Sequence, residues 1–251
     1  MGYLELSKQE LEKEYGNLVK RFEEFKGMGL NLNMARGKPS KEQLDFSLPM
    51  LDTINSKSDF IGEDKMDCRN YGLLNGITEC RKLFADILGV DAENVIVGGS
   101  SSLNMMFDTI SCFMTAPAVE GCKPWYEVKN RKFLCPVPGY DRHFGITQYY
   151  GFELIPIPMD DNGPDMDMVE RLVSEDDSIK GIWCVPKYSN PAGTTYSDEV
   201  VKRFAALKPA AKDFRIMWDN AYCIHEISDT PDVLLNIMDE CKKTGNEDLP
   251  I

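Results

Sequence analysis

At 251 residues the chain has room for one large domain, or for a large domain with a small companion. Hydrophobic residues at 43% and charged residues at 27% are ordinary for a folded globular protein, and a formal net charge of -13 argues against a nucleic-acid partner, because no basic face can dominate such a surface. The eight cysteines include no Cys-x-x-Cys pair, and several lie in apolar runs such as Phe133-Leu134-Cys135 and Trp183-Cys184-Val185, so they read as buried, reduced thiols of a cytoplasmic protein.

In chain order, Met1-Gly2-Tyr3-Leu4-Glu5 has no apolar signal-peptide region, and Leu6 stands where N-myristoylation needs Ser or Thr. No apolar run is long enough to cross a bilayer, so no membrane partner is expected. Ser7 and Glu10 read as a capping box. Behind them Leu11, Tyr15, Leu18, Val19, Phe22 and Phe25 recur at helical spacing, predicting an amphipathic helix to about Lys26 that Gly27 and Gly29 end. Leu30 to Pro39 reads as extended, and the stretch to about Arg69 as loops.

From Gly72 onward helical and strand patterns alternate. Helices are predicted over 77–88, 103–114, 142–150, 166–173, 198–207 and 233–243. Short apolar strands are predicted over 95–97, 133–137, 153–157, 181–185 and 215–218. The alternation implies an α/β fold with a mostly parallel sheet and helices on both faces. Residues 115–132 break the rhythm with Ala116-Pro117, Gly121 and Lys123-Pro124, and read as a surface insertion.

Ligands of open parallel sheets gather at the carboxyl ends of the strands. Gly98-Gly99-Ser100-Ser101-Ser102 follows the first predicted strand and opens a helix, where free amides and the helix dipole favour a phosphate. An N-capped turn without a ligand explains the same residues, and neither a Walker loop nor Gly-x-Gly-x-x-Gly is present. Pro138-Gly139-Tyr140 puts an aromatic ring at the next strand end. Tyr188-Ser189-Asn190-Pro191-Ala192-Gly193 contains an Asn-Pro turn signal with the option of a cis bond. Asp219-Asn220-Ala221-Tyr222 puts at another strand end a carboxylate that needs a partner if buried. His143 and His225 have no metal-ligand spacing around them and read as structural side chains.

In this order the motifs resemble those of fold-type I pyridoxal-phosphate (PLP) enzymes of the class I/II aminotransferase group, from about residue 30 to the end. Tyr71-Gly72, Gly76 and Arg81-Lys82 are similar to the segment before that group's first large-domain helix, and Asn33-Met34-Ala35-Arg36-Gly37-Lys38-Pro39 resembles a bacterial aspartate-aminotransferase-like branch. The resemblance implies a PLP-dependent transferase-like fold. Residues 1–45 would be an N-terminal arm with part of a small domain, and 46–251 a PLP-binding large domain cut off before the lysine strand.

It also implies roles. Gly99, Ser100 and Ser101 would hold the PLP phosphate. Tyr140 would stack on the ring, Asn190 and Tyr222 would bond its phenolic oxygen, and Asp219 would pair with its protonated nitrogen. Tyr71 would reach the cofactor of a neighbouring subunit, implying a homodimer, and Gly37 would offer its amide to a substrate carboxylate. The reaction would move an amino group between an amino acid, aspartate or another dicarboxylic one, and a 2-oxo acid.

The family's Schiff-base lysine lies a few tens of residues after the Asp that matches Asp219, beyond Ile251, and Lys187, Lys242 and Lys243 do not fit that position. Leu249 to Ile251 reads as the start of the strand leading there. In the family, later strands lie between the strand matching 95–97 and the rest of the sheet, so this chain alone is expected to leave the phosphate loop unmoored from Asp219 and Asn190. Three other readings stay open: a lyase or decarboxylase on the same scaffold, a non-catalytic module that binds PLP or a partner without the lysine, and a nucleotide-binding α/β domain.

Overall fold

The computed structural model describes residues 2–33 and 37–251. The chain divides into two compact units, Met1–Asp59 and Phe60–Ile251. In the first unit helix α1 spans Lys8–Gly27, and the Ser7/Glu10 capping box that opens it is formed in both directions. Met28 caps its end, and Gly29, at φ 61°, turns the chain away. The apolar stripe of α1, including Tyr15, Phe22 and Phe25, is exposed. Inside the stretch read as loops, a second capping box, Ser40 with Gln43, starts the short helix α2 (Lys41–Asp45). The Ala-Arg-Gly-Lys-Pro signature falls partly on 34–36, outside the described residues.

The second unit holds helices α3 (Thr78–Leu88), α4 (Ser102–Thr115), α5 (Asp141–Tyr149), α6 (Met166–Glu175), α7 (Asp198–Ala205) and α8 (Ile237–Thr244). Its strands are β1 (Lys132–Val137), β2 (Glu153–Asp160), β3 (Gly163–Pro164), β4 (Ile179–Cys184) and β5 (Arg215–Trp218), in the spatial order β3-β2-β1-β4-β5. All neighbours pair in parallel except the short β3, which runs antiparallel to β2 and which the sequence pattern did not suggest. Beyond β5, residues 249–251 run parallel to it. The Ile216 N–H donates to the Leu249 carbonyl, and the Ile251 N–H to that of Ile216.

Alternation along the strands sorts side chains to two faces. Leu134, Ile157, Ile182, Cys184 and Ile216 face α6, α7 and α8, meeting Val169, Val201, Phe204 and Cys241. Phe133, Cys135, Trp183 and Met217 face α4 and α5, meeting Ile110, Met114 and Ile146. Side chains of this size stabilise by about 1.5–3 kcal/mol each when fully buried, so the double-faced sheet is the main store of stability.

Three expectations are corrected. Residues 95–97 form no strand among the described residues, and Ile96 is exposed, because no neighbour pairs with them; the segment is held instead by α3. The Arg81 guanidinium donates to the carbonyls of Ala92 (2.6 Å) and Val95 (3.0 Å), and the Val97 N–H donates to Asn75 (2.9 Å). Gly76, at φ 97°, leaves room for Val97, whose Cβ would lie 2.7 Å from any added Cβ.

The supposed surface insertion carries Trp125, which is fully buried against Phe113, Phe133 and Phe152. Its indole N–H donates to Asp213 Oδ2 at 2.9 Å, giving a polar anchor that spacing could not reveal. The last helix begins at Ile237 rather than 233. Asn236 caps it, accepting from the N–H groups of Met238 and Asp239, while its side-chain amide donates to the carbonyls of Leu88 and Gly89.

Asp213 also accepts from Lys180 Nζ at 2.8 Å, with both side chains almost wholly buried. Removing one partner of such a pair leaves a buried charge without its counter-ion. Asp213→Ala is expected to lower unfolding stability by about 3–5 kcal/mol, read from urea denaturation; a loss within measurement error would sink this assignment. All eight cysteines are free thiols. Burial pushes the Cys135 thiol up to about 12 and that of Cys241 up to about 11, and raises that of Cys184 further. Thiol labelling of the native protein at about pH 8 is expected to modify the exposed Cys68 and Cys112 and to spare Cys135, Cys184 and Cys241.

Candidate functional site

Parallel pairing brings the carboxyl ends of β1, β4 and β5 to one edge of the sheet. Tyr140 follows β1, Asn190 lies on the loop after β4, and Asp219 directly follows β5. The Asp219 N–H donates to the Cys184 carbonyl at 2.9 Å, extending the ladder by one residue and fixing where the carboxylate emerges. The Asn190-Pro191 bond is cis, as is Val137-Pro138.

A cavity of about 350 Å3 opens at this edge, lined among others by Ser100, Ser101, Ser102, Tyr140, Asn190, Asp219 and Tyr222. That volume suits a small molecule. The expectation of an unmoored phosphate loop is therefore overturned. Packing of α4 against the sheet and the anchoring of 95–97 by Arg81 carry the serines to the cavity without strand pairing. Ser101 is the N-cap of α4, its hydroxyl accepting from the Asn104 N–H at 3.4 Å, so the capping role considered for this turn is realised. The helix dipole adds positive potential at the same place.

Of the sequence-predicted site residues, Ser100, Ser101, Tyr140, Asn190, Asp219 and Tyr222 all line this cavity. Gly99 adjoins them in sequence, and a side chain there would meet nothing within 4 Å, so its backbone is open to approach. Tyr71 does not line the cavity and is 93% exposed. Gly37 belongs to the first unit and lies in irregular backbone before α2.

His143, read as structural, is 1% exposed, and its Nε2 lies 2.9 Å from Asp219 Oδ2, within ion-pair reach although not aligned for a hydrogen bond. Its ring stacks on Trp183 (centroids 4.7 Å apart, planes at 16°) and meets Tyr140 edge-on. His143 lies three residues after Tyr140, in the first turn of α5, on its buried face. His225 is exposed and only flanks the Tyr222 ring. Among the described residues no cluster of His, Cys, Asp or Glu could hold a metal ion, and no helix is long and apolar enough to cross a membrane.

The donor set suits a ligand with an anionic group at the serines, a flat ring against Tyr140 and a cationic nitrogen at Asp219. The family profile described as Aspartate amino-transferase matches residues 6–251, and the chain belongs to this family. The aspartate aminotransferase of Corynebacterium glutamicum is 46% identical over 230 residues, 92% of this chain and 53% of that protein. The crystal structure of an aspartate transaminase from Corynebacterium glutamicum superposes with a TM-score of 0.85 at 43% identity, covering 98% of this chain and 57% of that one. An archaeal alanine:glyoxylate aminotransferase, 20% identical with a TM-score of 0.56 over 89% of this chain and 53% of its own, shares the fold. The chain thus spans little more than half the length of these relatives.

Proposed function

We propose that these residues form the cofactor-binding part of a PLP-dependent aminotransferase that exchanges an amino group between a dicarboxylic amino acid, aspartate first, and a 2-oxo acid. The observation that carries the reading is the convergence of the serine loop, Tyr140, Asn190, Asp219 and Tyr222 on one cavity. When bound, PLP supplies a cationic ring that draws electrons from the substrate Cα and eases loss of its proton.

The residues divide the work around it. The Gly99 and Ser100 backbone, with the Ser101 cap at the start of α4, would receive the phosphate. The Tyr140 ring would cover one face of the pyridine, and the Asn190 amide and Tyr222 hydroxyl would donate to the ring oxygen. The Asp219 carboxylate would hold the proton on the ring nitrogen by charge pairing, with His143 behind it. The lysine that tethers the cofactor is assigned to sequence beyond Ile251. Lys187, the lysine nearest Asn190 in sequence, has its ammonium group engaged by Glu226, and Lys242 and Lys243 are paired with Asp91 and Glu240. The same reading makes 1–45 an arm with part of a small domain and 46–251 the cofactor domain. It makes the protein a cytoplasmic homodimer in which Tyr71 serves the neighbouring subunit's cofactor, and it gives the Gly37 amide to the substrate carboxylate.

The test uses the full-length protein with PLP, aspartate and a 2-oxo acid. Wild type is expected to hold PLP as a borohydride-trappable adduct and to transaminate. Asp219→Ala is expected to lose about 10²–10³-fold in turnover, the usual cost of removing one group aimed at developing charge. Turnover at the wild-type level in Asp219→Ala would dismiss the proposed role, and a wild-type protein without a trapped adduct would dismiss the activity.

A further inference from the structure

The two loops that bring Asn190 and Tyr222 to the cavity have irregular backbones, and a shared carboxylate ties them together. The first loop closes on itself: the Tyr196 N–H donates to Pro186 (2.8 Å) and the Ser189 N–H to Thr194 (2.8 Å). At its start Tyr188 sits at φ 48°, a conformation that a residue with a side chain holds only when its surroundings enforce it.

Its own loop supplies one contact, the Tyr188 N–H donating to Thr195 Oγ1 at 3.3 Å, and the other loop supplies the side-chain contacts. Lys187 Nζ lies 3.0 Å from Glu226 Oε1 and 3.4 Å from the Cys223 carbonyl oxygen. The Tyr188 hydroxyl donates to Glu226 Oε2 at 3.3 Å and accepts from the Asp232 N–H at 3.0 Å. Each carboxylate oxygen of Glu226 therefore takes one of two consecutive side chains of the Asn190 loop. The Lys187 side chain is only 6% exposed, whereas that of Glu226 is 45% exposed. A buried ammonium group needs its partner, so the tie is directional: the lysine is committed and the glutamate reaches in from the surface. None of the three residues lines the cavity, while their neighbours Asn190 and Tyr222 do.

We propose that Lys187, Tyr188 and Glu226 form a clasp that sets the separation of Asn190 and Tyr222 at the cavity, so that both donate to the same cofactor oxygen. They are positioning residues, and the proposal rests on the reading of the cavity as a PLP site. Two donors on one oxygen favour its deprotonated form. A loosened clasp lets one donor drift and raises the pH midpoint of the bound cofactor's visible band.

The experiment titrates that band in the full-length holoenzyme, with PLP release and melting temperature measured alongside. Glu226→Gln and Tyr188→Phe are compared with the double variant Lys187→Met/Glu226→Gln, which leaves no unpaired buried charge. The midpoint is expected to rise by about one pH unit, the size of one weakened hydrogen bond to a charged group, with faster PLP release. The rise should persist in the double variant even where its melting temperature recovers. An unchanged midpoint and release rate in the folded double variant and in Tyr188→Phe would overturn the clasp and leave the cluster as loop packing. If wild type shows no bound-cofactor band, the site assignment itself falls, and with it the clasp; the variants are then no different from wild type.

Discussion

Parallel pairing of β1, β4 and β5 with both faces buried is the constraint on which the rest depends. A parallel ladder points every strand the same way, so the segments leaving these three strands emerge at one edge. Burial of both faces removes freedom of register: shifting a strand by one residue would carry Phe133 or Trp183 into the cluster of Leu134 and Ile182. Tyr140, Asn190 and Asp219 are therefore placed by hydrophobic packing several residues behind them, and the site inherits the rigidity of the core.

The sequence showed much of this because its signals were local. Continuous apolar runs marked the buried strands, Ser7 with Glu10 marked the start of α1, and the site residues sit soon after strands, where linear spacing still describes geometry. What was hidden depends on contacts between residues far apart in the chain. Trp125 looked like part of a surface insertion because its partner Asp213 is 88 residues away. The approach of His143 to Asp219 was hidden because the two lie 76 residues apart, on α5 and just after β5. Residues 95–97 have the composition of a strand, yet a strand exists only through its neighbours, and there Arg81 takes the carbonyls instead.

Arg81 also explains why the serine loop keeps its place. A fold-level view ties that loop to the sheet through strand pairing. Here three separate contacts do the work: guanidinium to carbonyl from α3, the Val97 N–H to Asn75, and the apolar face of α4 on Phe133 and Trp183. The loop's position is thus fixed by its own helix and by α3.

The polar anchors show a further pattern around β4. Near its first residues Lys180 pairs with Asp213, just ahead of β5; beyond its last residue Lys187 pairs with Glu226, after β5. Both lysines are buried, and both acids flank the same neighbouring strand. Buried ion pairs add little net stability, because desolvation offsets most of the attraction. Their effect is on alternatives: any slip of β4 against β5 would strand a buried ammonium group at one end or the other. Apolar side chains of similar size would tolerate a slip that two fixed charges do not. The pair ahead of β5 lies far from the cavity edge and guards the register of the core, whereas the pair beyond β5 carries that same register into the two loops that reach the cavity.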